Sequence, residues 1–433
     1  MHMAIDKTYT SENPFYKTVD IPDKYFCDRE TETAKLISYT ASGNDTVITA
    51  KRRIGKSSLL YHLFRQPEIK DKYNTLMVDI NQTKCEADFL QRLSGALLKS
   101  SFAKAQKGRK KITEIIPELK VYAKVDFKVL SAGAETVIKN KYDLTLEKIF
   151  DFMEKTDRPN IVVFDEFQTI EDYPEKMSAI LRTFIQKMKN TRFVFSGSEE
   201  HMLNSMFKDI NKPFYKSALH MELRAIPEKT YCDYCSRMFA ICGKSITEDA
   251  VKLVYNLFSG NTYDIQQVMN LVFIHTRKNK PADVELVKNT IIGVVYDNDF
   301  FYSSLLNTIK KDTEKNLLLA IASEGIAERL MSEEMINKYW LGSSSSVQNS
   351  IKKLSERNID SLSKEQQGPI ITKIGENSYR LNDRFFELWL ADNLDLLESR
   401  FEEAAELHHK ECSINRKPVE FKKPQKGPKK PPH

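Results

Sequence analysis

Three short groups of polar residues follow apolar stretches and have the types needed for chemistry on a phosphate. The first is the pair Lys56 and Ser57, which follows Gly55 and opens a stretch with helical leucine spacing. The second is the pair Asp165 and Glu166, directly after the apolar residues 161–164. The third is residues 196–198, Ser-Gly-Ser. An amine, hydroxyls and carboxylates of this kind could bind a polyphosphate together with a divalent cation.

Residues 50–57 are similar to the phosphate-binding loop G-x-x-x-x-G-K-[ST], which joins a strand to a helix. Amides at the helix start point at phosphate, Lys56 is expected to reach the β- and γ-phosphates, and the Ser57 hydroxyl is expected on Mg²⁺. Ala50 stands where the motif has its first glycine, so this end of the loop must use ordinary backbone angles. The predicted nucleotide-binding residues of this segment are Ala50, Lys51, Arg52, Arg53, Ile54, Gly55, Lys56, Ser57 and Ser58.

Four apolar residues that run into two acids are typical of a buried strand whose end carries ligand-binding groups. We expect Asp165 to share the Mg²⁺ with Ser57, and Glu166 to orient or deprotonate the attacking water. Ser196 and Ser198 are candidates for sensing the γ-phosphate or positioning that water. A simple turn at the strand end accounts for these two serines equally well.

The elements that must position these groups are near-continuous apolar strands separated by helical segments. Such strands are predicted at residues 47–49, 75–80, 161–164 and 192–196. Strands of this kind indicate a parallel sheet covered by helices on both faces, an α/β fold. The sequence therefore predicts a P-loop domain over residues 1–225, with a lysine-rich insertion at residues 101–141.

The second half of the chain is predicted to be mostly helical. Residues 226–300 read as a helical lid. Residues 301–400 contain three helical patterns, the second capped by Ser332 and the third preceded by Ser345 or Ser346, and then a β-hairpin. This order of elements is that of a winged helix-turn-helix. Residues 401–433 are predicted to be the end of a helix followed by a basic, proline-rich, disordered tail.

Composition and charge narrow the class of protein. The net charge of +6 equals the excess in residues 416–433, which hold seven lysines and arginines and one glutamate. No stretch approaches the roughly 20 apolar residues that cross a bilayer, so no membrane span is expected. The six cysteines are scattered, which is typical of free thiols in a reducing compartment, and a cytoplasmic location is expected. The C-x-x-C pair at Cys232 and Cys235 lacks further ligands for zinc.

With these motifs the chain resembles the prokaryotic, archaeal-type ATPase family within the AAA+/STAND group of P-loop NTPases. The likeness covers about residues 13–390. It includes an entry motif at Asn13-Pro14-Phe15 and Asp28-Arg29-Glu30, the two Walker-like motifs at residues 52–57 and 164–168, the strand end at 196–198, the lid signature Ser259-Gly260-Asn261 and the segment 379–389 that ends the family's winged helix.

The resemblance implies an ASCE-type sheet, a helical lid, a winged helix after the lid, and ATP as the nucleotide. It also implies that Asp28 and Arg29 lie near the adenine and belong to the nucleotide-binding residues. The chain departs from the family at Thr262, where relatives continue into proline, and it has no arginine beside Gly260 to act as sensor 2. For an arginine finger the candidates are Lys216, where some relatives have arginine, and Arg224.

Two functions from different classes follow. The first is an ATP-binding and ATP-hydrolysing, Mg²⁺-dependent switch whose client is a protein or a nucleic acid and which could assemble into oligomers. The second is a nucleic-acid-binding regulator in which ATP is bound and hardly hydrolysed. DNA contact would use Lys352, Lys353 and Arg357 of the third winged-helix segment, or the basic tail. Many winged helices instead bind proteins or neighbouring domains.

Overall fold

A computed structural model describes residues 12–100, 116, 135–356 and 369–391. The chain divides into two compact units. The first, which we call the sheet unit, comprises Tyr16–Thr230 together with Asn261–Tyr263. The second, the helical unit, comprises Met1–Phe15, Tyr231–Gly260 and Asp264–His433. The domain boundaries given above remain predictions.

The sheet unit alternates strands and helices along the chain. Its strands are β1 (Thr46–Thr49), β2 (Asn74–Asp79), β3 (Asn160–Asp165), β4 (Thr191–Gly197) and β5 (Leu219–Glu222). Its helices are α1 (Glu30–Ala41), α2 (Lys56–Arg65), α3 (Pro67–Lys70), α4 (Glu86–Lys99), α5 (Glu135–Glu154), α6 (Met177–Ile185) and α7 (Glu200–Lys208). Two short 3₁₀ helices, Asp23–Tyr25 and Phe167–Asp172, complete this unit.

All five strands of the sheet unit are parallel, in the order β2-β3-β4-β1-β5. Every residue of β3 is buried, as is every residue of β1, because helices cover both faces of the sheet. The predicted α/β fold with a parallel sheet is therefore confirmed. Strand β5 escaped prediction because only Met221 of its four residues is buried, so the apolar run of a central strand is missing.

The parallel register brings the carboxyl ends of three neighbouring strands level with one another. Asp79 at the end of β2 pairs with Asp165 at the end of β3, and Phe164 pairs with Phe195 of β4. A stack of phenylalanines fixes this edge from one side, with ring centroids 6.1 Å apart between Phe164 and Phe193. Polar residues that follow these strands must therefore lie at one edge of the sheet.

The helical unit contains nine helices and three short strands among its described residues. The helices are α8 (Glu228–Ile241), α9 (Glu248–Leu257), α10 (Thr262–His275), α11 (Val284–Asp297), α12 (Asp299–Thr308), α13 (Asp312–Glu324), α14 (Glu333–Tyr339), α15 (Ser344–Glu356) and α16 (Arg384–Leu390). The strands are β6 (Ala327–Glu328), β7 (Ile371–Lys373) and β8 (Ser378–Leu381). The entry motif joins this unit through Phe15, which packs on Phe239 with ring centroids 5.4 Å apart.

Helices α13 to α15 and the antiparallel sheet β6-β8-β7 form the predicted winged helix. Ser332 caps α14, since its hydroxyl accepts the Met335 amide at 3.3 Å. Helix α15 begins at Ser344, earlier than predicted, because the Ser343 hydroxyl accepts the Ser346 amide and so starts the helix. Strand β6 has only two residues, too few for an alternating pattern to predict it.

Several predictions fall partly or wholly outside the described residues. These are Arg357, the basic tail and most of the insertion at 101–141. The last part of that insertion lies in helix α5, which begins at Glu135. Within the described ranges, no helix combines the length and the apolar character that crossing a bilayer requires.

Candidate functional site

The loop from Ala50 to Gly55 joins the end of β1 to the start of α2. Positive φ angles occur at Arg53 (φ 65°) and at Gly55 (φ 95°), and Ala50 keeps an ordinary negative φ. Only glycine adopts φ 95° without strain, which explains Gly55. Helix α2 then begins at Lys56. Its first amides lack partners within the helix and carry the positive end of the helix dipole, so the loop presents donors for an anion.

Lys56 and Glu166 form the central ion pair of this edge. The Lys56 side chain is 7% exposed, and its Nζ lies 3.4 Å from Glu166 Oε1. These residues come from α2 and from the end of β3, 110 positions apart in the chain. When a nucleotide binds, the Lys56 amine could exchange its ion pair with this carboxylate for one with a phosphate oxygen.

Ser57 and Asp165 make the second link between the loop and the acidic strand end. The Ser57 hydroxyl donates to Asp165 Oδ2 at 2.7 Å. Ser196, at the end of β4, donates its hydroxyl to the other oxygen of the same carboxylate. Asp165 is thus fixed by two hydroxyls, one from α2 and one from β4.

Glu166 is held by four groups and stands in the left-handed backbone region, with φ 58°. Its Oε2 accepts the Ser198 amide at 3.1 Å, the Ser198 hydroxyl at 2.8 Å and the Gln168 amide nitrogen at 2.7 Å. Burial acts to raise the pKa of Glu166, but the Lys56 charge and these hydrogen bonds outweigh it and lower that pKa. The carboxylate is therefore ionised and, in this arrangement, a weak base.

Two further carboxyl groups, those of Asp79 and Glu199, interact with the acids at this edge. Burial, and then the charges of Asp165 and Glu166, raise the pKa of Asp79. Burial and the Glu166 charge likewise raise the pKa of Glu199, which follows Ser198. Two carboxyl groups whose pKa is raised by neighbouring acids fit a site that receives a cation.

The donors present fit Mg²⁺ better than a metal held by protein alone. Among the described residues, no group of three His, Cys, Asp or Glu side chains is placed to bind a metal. A hydroxyl from Ser57 and a carboxylate from Asp165 are hard oxygen ligands, and Mg²⁺ commonly completes its shell with phosphate oxygens and water. These two residues would hold the ion.

The two entry residues predicted to bind nucleotide, Asp28 and Arg29, both have positive φ angles, of 57° and 81°. The guanidinium of Arg29 is buried and donates to Glu32 at 2.8 Å, to the Arg224 carbonyl at 2.8 Å and to the Ile54 carbonyl at 3.4 Å. Arg29 thus supports the phosphate loop directly, which sequence motifs did not indicate.

Residues 262 and 263 also contact the loop, within the sheet unit. The Tyr263 amide donates to the Arg53 carbonyl at 3.2 Å, and the Thr262 hydroxyl lies 3.4 Å from the Ile54 carbonyl. The Arg53 guanidinium stacks over the Tyr263 ring, 5.3 Å from its centroid. Thr262 stands where relatives have proline, and its hydroxyl makes a contact that proline cannot make.

The remaining predicted residues divide into those near the site and those elsewhere. Lys51 and Arg52 are exposed on the loop, and Ser58 lies in the first turn of α2. Arg224 is 80% exposed and pairs with Glu222 at 3.0 Å. Lys352 and Lys353 belong to the helical unit, where Lys353 Nζ lies 3.3 Å from Glu314.

Comparisons with known proteins identify the family and the fold of the chain. A family described as "ATPase domain predominantly from Archaea" matches residues 26–268, and a probable winged helix domain matches residues 300–392. A Walker-type ATPase of Pyrococcus abyssi is 17% identical, with a TM-score of 0.56 over 89% of this chain and 99% of that chain. The ORC2 protein of Aeropyrum pernix, solved with ADPNP and ADP, is 11% identical, with a TM-score of 0.50 over 92% and 99%.

A comparison with curated protein sequences gives no match. The two structural likenesses concern the fold alone, whereas the family match covers more than half of the chain. The chain therefore belongs to the family of P-loop ATPases found predominantly in Archaea, and it carries a winged helix domain after the ATPase domain.

Proposed function

We propose that this ATPase is an Mg²⁺-dependent switch of the STAND type, in which ATP binding and hydrolysis change the state of the winged helix. The observation that carries the proposal is the convergence of Lys56 and Ser57 from one element with Asp165 and Glu166 from another, at 3.4 Å and 2.7 Å. These are the groups that phosphoryl transfer to water requires.

Each of these groups has one task. The α2 amides and Lys56 bind the phosphates, and Ser57 and Asp165 hold Mg²⁺. The metal, when bound, neutralises charge on the phosphate oxygens. Glu166 orients the attacking water and accepts its proton. Ser196 keeps Asp165 in place, and Ser198 does the same for Glu166.

The Lys56–Glu166 pair supports a resting state that ATP would alter. A triphosphate competes with Glu166 for the Lys56 amine, because it carries more negative charge. When Lys56 turns to phosphate, Glu166 loses the charge that lowers its pKa and becomes a better base. Binding of the nucleotide would then prepare the residue that hydrolyses it.

The switch itself is supported by a short stretch of chain with firm contacts at both ends. The Leu257 carbonyl, the last of α9, accepts Arg384 at 2.9 Å and 3.2 Å, and the Ser259 hydroxyl accepts Arg380 at 2.9 Å. Both arginines belong to the winged helix. Tyr263, four residues after Ser259, is bonded to the phosphate loop. Only a few residues of the chain therefore separate the loop contact of Tyr263 from the winged-helix contact of Ser259.

The first experiment separates binding from hydrolysis. Lys56→Ala should lose ATP binding in a fluorescent-nucleotide titration, because the phosphates lose their buried cation. Glu166→Gln should keep the affinity and lose turnover by roughly a hundredfold or more, as expected when a general base is removed. Lys252→Ala, in an exposed pair of α9, is the control and should behave as wild type. Normal hydrolysis by Glu166→Gln would refute the assignment of the base.

A second function, sequence reading of a DNA duplex, is favoured by one face of α15. The exposed residues of this face, which extends over about two turns of the helix, are Ser345, Gln348, Asn349 and Lys352. Asn and Gln are suited to adenine, and lysine to guanine or phosphate. We propose this as the alternative, a DNA-binding regulator with bound ATP and little turnover. In this alternative Lys353 should contribute less than Lys352, because Glu314 pairs with it.

Binding of a labelled duplex at two salt concentrations tests the alternative. Asn349→Ala and Lys352→Ala should each weaken binding about tenfold if α15 enters the major groove, and only Lys352→Ala should also reduce the salt dependence. Deleting residues 412–433 tests the contribution of the basic tail in the same assay. Duplex affinity that neither substitution nor the deletion changes would exclude this reading.

A further inference from the structure

Gln168 is a buried residue beside Glu166 that has no role in the proposed binding of ATP or Mg²⁺. It lies in the 3₁₀ helix Phe167–Asp172, directly after the acidic strand end, and is 4% exposed. Its Nε2 donates to Glu166 Oε2 at 2.7 Å. Its Oε1 is buried and finds no hydrogen-bond partner among the described residues.

The chemistry of Glu166 fixes which way this amide points. An ionised carboxylate only accepts hydrogen bonds, so the NH₂ end of Gln168 must face it and the carbonyl end must face away. A buried carbonyl without a partner is unfavourable, and a leucine or methionine of similar size would avoid it. Packing therefore does not explain a glutamine here, whereas donation to Glu166 does.

Gly197, at the end of β4, provides the space into which that carbonyl points. A Cβ on Gly197 would overlap Oε1 of Gln168 and would lie 3.2 Å from a methyl carbon of Leu203. Its φ is not in the left-handed region, so its backbone conformation does not require glycine. The missing side chain at 197 matters because it leaves space for the Gln168 amide.

The two oxygens of Glu166 are consequently held by different groups. Among the described residues, the hydrogen-bond partner of Oε1 is Lys56, at 3.4 Å, and phosphate would take over this partner. Oε2 accepts one hydrogen bond from Gln168 and two from Ser198, and nucleotide binding displaces neither residue in the proposed scheme. Loss of the Lys56 contact would therefore free one oxygen while the other stays fixed.

We propose that Gln168 is a positioning residue for Glu166, seated over Gly197, and that it fixes Oε2 so that Oε1 alone faces the attacking water. This inference rests on the proposed role of Glu166 in hydrolysis. Gln168 touches neither ATP nor water in this scheme. It acts through the carboxylate, and Gly197 acts through Gln168.

The first test is Gln168→Met, which keeps the size and removes the donor. ATP affinity, measured without turnover, should stay within about threefold, and kcat should fall by about ten- to a hundredfold, as misplacement of a catalytic group does. The acidic limb of kcat against pH should move to higher pH, because a hydrogen bond that lowers the pKa of Glu166 is gone. The other charged groups that act on Glu166 are unchanged in this variant: Lys56, Arg52, Asp79 and Glu199.

A double-mutant cycle tests the pairing with Gly197. Gly197→Ala should displace the flexible end of Gln168 and reduce kcat about as much as Gln168→Ala does. The double variant should be no slower than Gln168→Ala alone, because the displaced group is absent, whereas independent effects would multiply. Gly95→Ala is the matched control, since nothing lies within 4 Å of a Cβ there. Its kcat and ATP affinity should equal those of wild type.

A nucleotide-free measurement completes the test. The thermal midpoint of Gln168→Met, relative to wild type, should rise as the pH falls through the range in which Glu166 is protonated, because the lost hydrogen bond stabilised only the carboxylate. Wild-type kcat in Gln168→Met, or multiplicative losses in the cycle, would overturn the inference. If these occur while Glu166→Gln is inactive, the proposed function survives. If Glu166→Gln is active, the proposed function fails first.

Discussion

Glu166 is held in place by its backbone conformation and its hydrogen bonds, and its carboxylate is ionised, as a general base requires. Its backbone lies at φ 58°, its carboxylate is ionised, and Lys56 occupies the oxygen that water would need. Such left-handed backbone in a non-glycine residue is uncommon and is found in particular at functional sites. The restraint follows from contacts between residues far apart in the chain. The sequence could supply the residue types, but not the pairing of Lys56 with Glu166 or the part of Gln168.

Asp45, which precedes β1, gives a prediction about stability and pH. Burial raises its pKa to about 6, against the hydrogen bond from the Phe193 amide and the charges of Arg192 and Arg182. Because the pKa of this carboxyl is higher in the folded state than in the unfolded state, the protein loses stability as the pH rises from about 4 to about 6. Asp45→Asn keeps the acceptor and removes the charge.

Asp45→Asn should therefore raise the free energy of unfolding near neutral pH by about 1–3 kcal/mol, since each pKa unit corresponds to roughly 1.4 kcal/mol. The gain should disappear at about pH 4, where both states bind the proton. Thermal or urea unfolding across this range measures it. Asp151→Asn, at a position 65% exposed, should show no such gain. An equal gain at all pH values would contradict the stated cause.

At the scale of the element, the phosphate loop has two positions with positive φ and only one glycine among them. Gly55→Ala imposes strain at φ 95° but meets no atom within 4 Å. The strain should cost roughly 1–2 kcal/mol of stability. The added methyl group also stands where phosphate must approach the backbone, so ATP affinity should fall by at least about tenfold.

Gly243→Ala is the matched control for this variant. It has φ 70° and likewise nothing within 4 Å of a Cβ, but it lies in the helical unit. Its unfolding temperature should fall about as much as that of Gly55→Ala, and its ATP affinity should stay at the wild-type value. If both variants bind ATP equally well, the loop does not need a bare backbone at position 55. Calorimetry and a nucleotide titration provide the two readouts.

How well an element could be predicted depended on the strength of its local pattern. Strands β1, β3 and β4 are almost wholly buried, β2 carries an apolar run at its centre, and the hairpin β7-β8 has Gly375 in its turn, so all of these were predicted and are confirmed. Strands β5 and β6 are short, and β5 is mostly exposed, so their pairing depends on neighbours distant in sequence. The contact of Arg29 with Ile54 and Arg224 is also tertiary, and no spacing in the chain indicates it.

At the scale of the whole molecule, the chain has only two tryptophans, Trp340 and Trp389, and both lie in the winged helix. Trp340 is 38% exposed, whereas Trp389 is buried and donates to Asp299 at 2.9 Å. Tryptophan emission therefore reports on the winged helix without any label. If the proposed switch operates, saturating ATP or a slowly hydrolysed analogue should change this emission, and Lys56→Ala should abolish the change.

Arg380→Ala should reduce the emission change and leave ATP affinity within about twofold, because the variant removes the hydrogen bond to Ser259 and changes no residue of the phosphate loop. Glu166→Gln should show the same ATP-induced change in emission. This change should not decay over time, because the variant does not hydrolyse the bound ATP. Identical emission from the nucleotide-free, ADP-bound and ATP-bound protein, with binding verified, would refute a switch that acts on this domain.

The contacts between the winged helix and the end of α9 determine which fragments of the protein can be expressed as folded pieces. The Phe258 ring is 1% exposed and lies 4.9 Å from Phe385, and the Leu257 carbonyl is bonded by Arg384. A fragment that stops where the ATPase family match ends, at residue 268, would expose this ring and cut through the helical unit. We expect such a fragment to aggregate on purification. Fragments that retain residues 12–391 should remain monodisperse.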